Sequence, residues 1–594
     1  MKKIVALTLA SAIMLGLLAG CGKTAETESA DIEITTEINE ETHPEDTAEE
    51  ASEKTEKPSA VAVPAEAEIE QPYVRKPVDY NDPNWFDEAL LIDIDCDWPC
   101  IYLDDLASRD RLISRAEYYF DRFNGTRVTD VLLCCFEQSS YIPSETMDWV
   151  HEKVAETVEN GGTFEGYESI VAKYPILYRA LTEFDIDWYE LALNCAQERG
   201  LRTWIYMRMN DLHYASDVNS PFHDKFYQEA LNQGYLLGGE YGNPVGSRQS
   251  ISNAYDFSHE EVRNWMLSYI EEVVMKYDAF GLQLDFMRNI YCFDYLEDEG
   301  YEEYMNDFVR QVRAILDKAE EVHGHSMKLM IRLGRSAEDD LIYGFDVATW
   351  IEEDLVDALV PSPEAFIDSS IPVKEWKELV GDDIAVFPGF ENWMMGNIEP
   401  TLEQLKGYWA SFYSQGADGL YFNNYYQLGS MGPDIWNFSR KNVSRGTRTF
   451  IQSYQDICPI GNESYHPLPY PLNESETGTD YTVDIGPIKD GEYVYLILGY
   501  SVSVNTEFVT EVTLEEIEPT SVKKIKPAQS DIRGTLSTGA TGQYRSKSGM
   551  VYVYEFRNVS ADGEMTVHFT PNPGDKCNLE YCEVLVQDYE QLFW

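Results

Sequence analysis

Gly281-Leu-Gln-Leu-Asp-Phe286 is the stretch on which the reading of this chain turns. Leu282, Leu284 and Phe286 alternate with Gln283 and Asp285, the period-two pattern of a β-strand. The preceding run predicts a helix: Ser258 and Glu261 have capping-box spacing, and Val262, Trp265, Met266, Tyr269, Ile270, Val273, Val274 and Tyr277 fall on one stripe. Working outward, short apolar strands separated by amphipathic stretches recur at 89–94, 128–136, 201–207, 280–286, 327–333, 356–360, 384–387 and 419–422. Eight strands alternating with helices predict a (β/α)8 TIM barrel. In such a barrel the apolar set of the fourth strand faces the helices, so Asp285 is expected inside, at the C-terminal mouth where barrel enzymes place their chemistry. The bland alternative pairs Asp285 with Arg288 or Arg332 only to hold a loop.

Near residue 450 the pattern changes to short strands alone, at 481–485, 492–498, 507–512, 550–556, 565–569 and 583–586, with Gly, Pro, Asn and Asp between them. This predicts an all-β sandwich after the barrel. At the other end, Lys2 and Lys3 precede an apolar run from Ile4 to Leu18 and the sequence Leu-Ala-Gly-Cys ending at Cys21. The run is too short for a lasting membrane span and reads as a secretory leader with a lipoprotein box, lipidated at Cys21. Residues 22–71 hold 16 acidic and 3 basic residues and almost no aromatics, a composition that cannot bury a core. The expected organisation is therefore 1–21 leader, 22–75 acidic tether, 76–455 barrel and 456–594 β-sandwich, on the outside of the cytoplasmic membrane.

A formal net charge of −60 disfavours nucleic acid as a partner while leaving neutral ligands open. Beyond Cys21 nine cysteines remain, an odd number, so at least one is unpaired. Cys577 and Cys582 could staple a hairpin, but scattered buried thiols account for the rest equally well. No cysteine pair has zinc spacing with nearby histidines, and Asp93, Asp95 and Asp97 lack an EF-type loop, so neither a metal nor a cofactor is expected.

Other strand ends supply polar groups suited to a neutral, hydroxyl-rich ligand: Asp95 and Asp97 after the first, Glu137 after the second, Arg208 and Asn210 after the third. Arg288 follows the fourth, Arg332 ends the fifth and Asn423 follows the eighth. Tyr206 shares a strand face with Arg208 and Asn210, and Tyr421 shares one with Asn423 and Tyr425, which sets rings beside hydrogen-bonding groups. Trp98, Trp393, Tyr425 and Tyr426 are candidates for stacking. The long segment 211–256 exceeds an ordinary βα loop and is expected to wall one side of the cleft.

The segment Ser258–Asp294, with its core Gly-Leu-Gln-Leu-Asp-Phe-Met-Arg, resembles the fourth-strand motif of uncharacterised bacterial barrels called family-10-like glycosyl hydrolases. Gly344-Phe-Asp-Val-Ala-Thr-Trp-Ile-Glu-Glu-Asp-Leu-Val-Asp-Ala-Leu-Val-Pro361 is similar to another segment of that group, and the likeness spans residues 85–445. The resemblance implies a sugar-cleaving barrel. Family-10 xylanases carry glutamates after strands four and seven, whereas this fourth strand ends in Asp285. Glycosidic cleavage needs two carboxyl groups flanking the bond. Glu391, after the seventh strand, is the first choice as partner of Asp285, and Glu364, after the sixth, is the alternative. Two functions follow as expectations: a surface glycoside hydrolase, or a glycan-capturing lipoprotein that keeps the barrel without the chemistry. Facing carboxyl groups at ~5 to 10 Å would favour the first.

Overall fold

The computed structural model describes residues 73–95, 106–215, 217–238, 251–287, 289–294, 300–363, 367, 371–390, 400–423, 432–452, 479–501, 510–525, 550–569 and 578–590. Its first layer is a parallel sheet: β1 (Ala89–Ile94), β2 (Asp130–Phe136), β3 (Arg202–Arg208), β4 (Gly281–Asp285), β5 (Lys328–Leu333), β6 (Ala358–Pro361), β7 (Ala385–Val386), β8 (Gly389–Phe390) and β9 (Gly419–Phe422). Neighbours run β7-β6-β5-β4-β3-β2-β1-β9-β8. β7 lies within the seventh predicted strand, 384–387, and β8, beyond Phe387-Pro388 and outside that prediction, is a second segment of the same stave. The first segment bonds to β6 and the second to β9, so the sheet closes on itself as an eight-staved barrel. Phe387 N–H donates to Leu359 O on one side of the seam and Asn423 N–H to Phe390 O on the other.

The two faces of each strand differ as the alternation in β4 requires. Leu282, Leu284 and Phe286 belong to the outer core, together with Val262, Met266, Ile270 and Val273 of the helix Glu260–Lys276. That helix begins one residue later than its capping signal suggests. His259 is the N-cap and makes no side-chain cap bond, so the Ser258–Glu261 capping box does not form. Ser258 N–H is taken by Asp256, and Arg263 donates instead to the carbonyls of Phe257 and Ser258.

Inside the barrel an apolar layer of Leu91, Leu132, Trp204, Met330, Val360 and Phe387 fills the lower levels. Trp85, Trp204 and Phe280 close the floor with ring centroids 5.3–5.5 Å apart. Buried Asp130 accepts from Trp204 Nε1 and Arg202 Nε at this floor, while Tyr206, Arg208, Asp285 and Arg332 stand toward the opposite end.

The second region consists of antiparallel sheets. One orders β10 (Arg448–Gln452), β17 (Asn578–Gln587), β12 (Tyr493–Ser501), β15 (Met550–Arg557) and β14 (Ser521–Ile525); the other orders β11 (Thr479–Asp484), β16 (Glu564–Phe569) and β13 (Thr510–Leu514). Val494, Leu496, Phe556 and Val584 of the first share one buried cluster with Val483, Val512, Met565 and Val567 of the second, the core of a sandwich. β10 and β14 carry no strand signal in the sequence reading. The helix Leu402–Ser414 packs between barrel and sandwich, and its Gly407 lies so close to β10 that a Cβ would sit 2.3 Å from Thr449 O.

No helix among the described residues is long and apolar enough to cross a membrane.

Candidate active site at the barrel mouth

Register builds the site. β3, β4 and β5 pair in parallel with Arg208 beside Asp285 and Asp285 beside Arg332, so three inward side chains stand in one row at the C-terminal ends of adjacent strands. The aspartate of this row is fully buried, as are the two arginines at 1–2% exposure. A carboxylate at such depth costs several kcal/mol unless partners compensate it. Arg332 Nη1 and Tyr206 Oη both donate to Asp285 Oδ2, at 3.0 and 2.8 Å, and Met287 N–H donates to Oδ1 at 2.8 Å.

Tyr206 continues the network, accepting from Arg208 Nε at 3.0 Å. Arg208 Nη1 bonds to Glu137 Oε1, lies 3.3 Å from Asp95 Oδ1 and 3.7 Å from Asp211 Oδ2. Burial alone would lower the pKa of Arg208, but Asp95, Tyr206 and Glu137 outweigh it and raise the value well above the ordinary one. Across the barrel Tyr421 Oη lies 3.1 Å from both Asp93 Oδ2 and Gln283 Oε1. Burial, and then the neighbouring carboxylates, hold both phenols well above their usual pKa, so Tyr206 and Tyr421 remain hydrogen-bond donors at all ordinary pH. Arg332 Cζ lies 5.8 Å from the centroid of the Tyr421 ring.

Of the residues expected at the site, the structure brings together Asp95, Glu137, Tyr206, Arg208, Asp285 and Arg332. Asn423 is buried on the same rim and its backbone is tied to Phe390. Asn210 is occupied differently: its amide donates to Tyr255 O and Tyr291 O and accepts from Tyr255 N–H, which fastens the long β3 loop to the segment after β4. Asp97, Arg288, Glu364, Glu391, Trp393, Tyr425 and Cys21 lie outside the described residues, as do Trp98, Tyr426 and Cys577.

Two residues that the sequence reading passed over complete the rim. Asp211, fully buried, places Oδ1 2.7 Å from His213 Nδ1, and the ring of His213 is 46% exposed. The signal was an Asp-x-His spacing directly after the third strand. Glu137, Asp211 and His213 bring ligand-type atoms within 4.8 Å of one another, a spacing a divalent ion could span. Arg208 already sets a cation against two of the three, so the group reads as an arginine-centred ion network rather than a ligand set.

No family model matches the chain, and no curated protein matches it in sequence. The family-10-like resemblance therefore rests on the quoted segments alone. Among solved structures, the glycoside hydrolase domain of PgaB (BpsB) from Bordetella bronchiseptica aligns at 10% identity over 59% of this chain and 96% of its own, with a TM-score of 0.34. The GH36 α-galactosidase AgaB from Geobacillus stearothermophilus aligns at 11% identity over 79% of this chain and 55% of its own, TM-score 0.30. A family 18 N-acetylglucosaminidase from Paenibacillus barengoltzii aligns at 10% identity over 59% and 99%, TM-score 0.29. Likeness at this level decides nothing about chemistry.

Proposed function

We propose that the chain is a glycoside hydrolase that works at this barrel mouth, exported and held at the membrane by a lipid on Cys21. The observation that carries the reading is Asp285, an inward carboxylate at the C-terminal end of β4, set between two arginines and held at both oxygens. A position fixed this closely suits a group that must meet a reacting carbon in one orientation. Glu391, or Glu364, would supply the second carboxyl group, and the separation from Asp285 would decide between retention and inversion.

One observation favours the second reading, a glycan-binding barrel without turnover: Asp285 has no exposed surface, and its contact with Arg332 is that of a structural ion pair. The same experiment separates the two. The mature protein is incubated with plant, host and microbial glycans, and new reducing ends and bound glycan are measured for wild type and Asp285→Asn. Cleavage by wild type and retention without cleavage by the variant supports hydrolysis. Retention without cleavage by both supports capture, and equal cleavage by both removes Asp285 from the mechanism.

A further inference from the structure

The rim histidine differs from its fellows in one respect. His151 and His223 are buried, and burial lowers their pKa to about 3 and about 4. His325 and His259 also meet aspartates, but Asp278 is 58% exposed and Asp256 lies 3.7 Å away at 18% exposure. In His213 the order is reversed, with a fully buried carboxylate against Nδ1 and a ring that reaches solvent.

The segment around it is fixed from several sides. Asp211 Oδ1 also accepts the backbone N–H of His213 at 2.7 Å. Gln138 Nε2 donates to the carbonyls of Asp211 and His213. The next residue, Tyr214, sits at φ 60°, a left-handed conformation that costs an aromatic residue energy, and its ring is held by stacking on Phe222 at 5.1 Å and by the edge of Tyr167 at 5.4 Å. A loop histidine with no task needs none of this.

We infer that His213 is a proton-transfer residue of the mouth, primed by Asp211. The carboxylate selects the tautomer with its proton on Nδ1, which makes Nε2, on the far side of the ring, the acceptor nitrogen. In the hydrolytic reading, on which the identity of the reaction rests, a carboxylic acid of the mouth gives its proton to the leaving oxygen as the glycosidic C–O bond breaks and an oxygen of Asp285 bonds to the anomeric carbon. The oxygen of water then bonds to that carbon, its proton passes to Nε2, and the bond to Asp285 breaks to return the carboxylate. Among the described residues, the charged groups near the ring include Asp211, Glu137 and Arg208, from the ends of β2 and β3.

The priming is tested without substrate by treating the mature protein with diethyl pyrocarbonate and following each histidine by peptide mapping, with His259 as internal reference. Asp211→Asn keeps an oxygen for the His213 N–H but removes the charge. Measured at a mildly alkaline pH, so that a change in ring protonation does not mask the effect, His213 is expected to react about tenfold more slowly in that variant. A merely structural histidine would react at the same rate or faster as its loop loosened, and either result overturns the inference. On whichever glycan the wild type cleaves, His213→Gln should lower kcat at least about 100-fold with little change in KM and erase one limb of the pH–rate profile. An unchanged kcat would equally overturn it. If the wild type cleaves no glycan the hydrolytic reading fails, and the modification rates still decide the priming.

Discussion

Asp285 and Arg332 form an ion pair with essentially no exposed surface, at 3.0 Å. Removing one member leaves the other charged inside the barrel, which typically costs about 3–5 kcal/mol. In Asp285→Asn the amide oxygen can still accept from Tyr206 or Met287, so the loss is chiefly that of the counter-ion, about 3 to 4 kcal/mol. With an unfolding entropy of about 2 cal/mol/K per residue over a barrel of several hundred residues, this is a fall in Tm of roughly 5 °C. Arg332→Met should fall by a similar amount. The double variant Asp285→Asn/Arg332→Met strands no charge, and should melt at least about 2 °C higher than the two falls added together. Scanning calorimetry on the four proteins at one pH and ionic strength measures the cycle. Additive falls, or single variants that melt with the wild type, would refute the reasoning, because they would mean that water reaches the pair.

Three more predictions concern burial and pH. Burial pushes the Asp340 carboxyl well above its usual value of 3.8, and Gly334 N–H is its backbone donor. The folded state thus holds a proton that the unfolded state releases as pH rises, and stability present below pH 3.8 is lost above it. Asp340→Asn should therefore match the wild type near pH 4 and melt progressively higher toward neutral pH, as Tm measured against pH will show. His151 has the opposite sign: its pKa falls from 6.5 to about 3 among the rings of Tyr141, Trp149 and Tyr174, so the protein loses stability as pH drops from 6.5. At about 1.4 kcal/mol per unit, His151→Phe should remove several kcal/mol of acid destabilisation and so flatten the acid limb of the Tm profile, with His223 leaving a residual slope. Gly407→Ala should cost about 1–3 kcal/mol, because its methyl meets the Thr449 carbonyl, and is checked as a lower Tm.

The barrel was legible because polarity, not burial, differs between the two faces of strands such as β4, which is buried throughout. Leu282, Leu284 and Phe286 had to face a helix, which left Asp285 pointing inward. The interior of the mouth was legible for the same reason at Tyr206, Arg208, Arg332 and Tyr421. Asp211 and His213 were not, since they follow β3 in a loop where period carries no signal. The missing helix cap was unreadable too: Ser258 had the right spacing, but Asp256 competes for its N–H. Among the strands, Ser521-Val-Lys-Lys-Ile525 looks polar because it lies at the edge of its sheet, with Val522, Lys523 and Lys524 exposed. Asn210 was picked out for its position on the mouth side of β3, and only the fold reveals that its amide is committed to backbone groups.

The broken seventh stave gives the ring a built-in weak joint. Between β6 and β9 the circle depends on two short segments that each serve a different neighbour, with a proline between them that has no amide to offer. At the joint, Gly389 is pressed against β6's end so closely that a side chain there would collide with Ser362 Oγ at 1.8 Å. β1 to β5 are each paired to both neighbours over four to six residues, whereas the joint holds two pairs on either side, so parting the cylinder here would break the fewest backbone pairs.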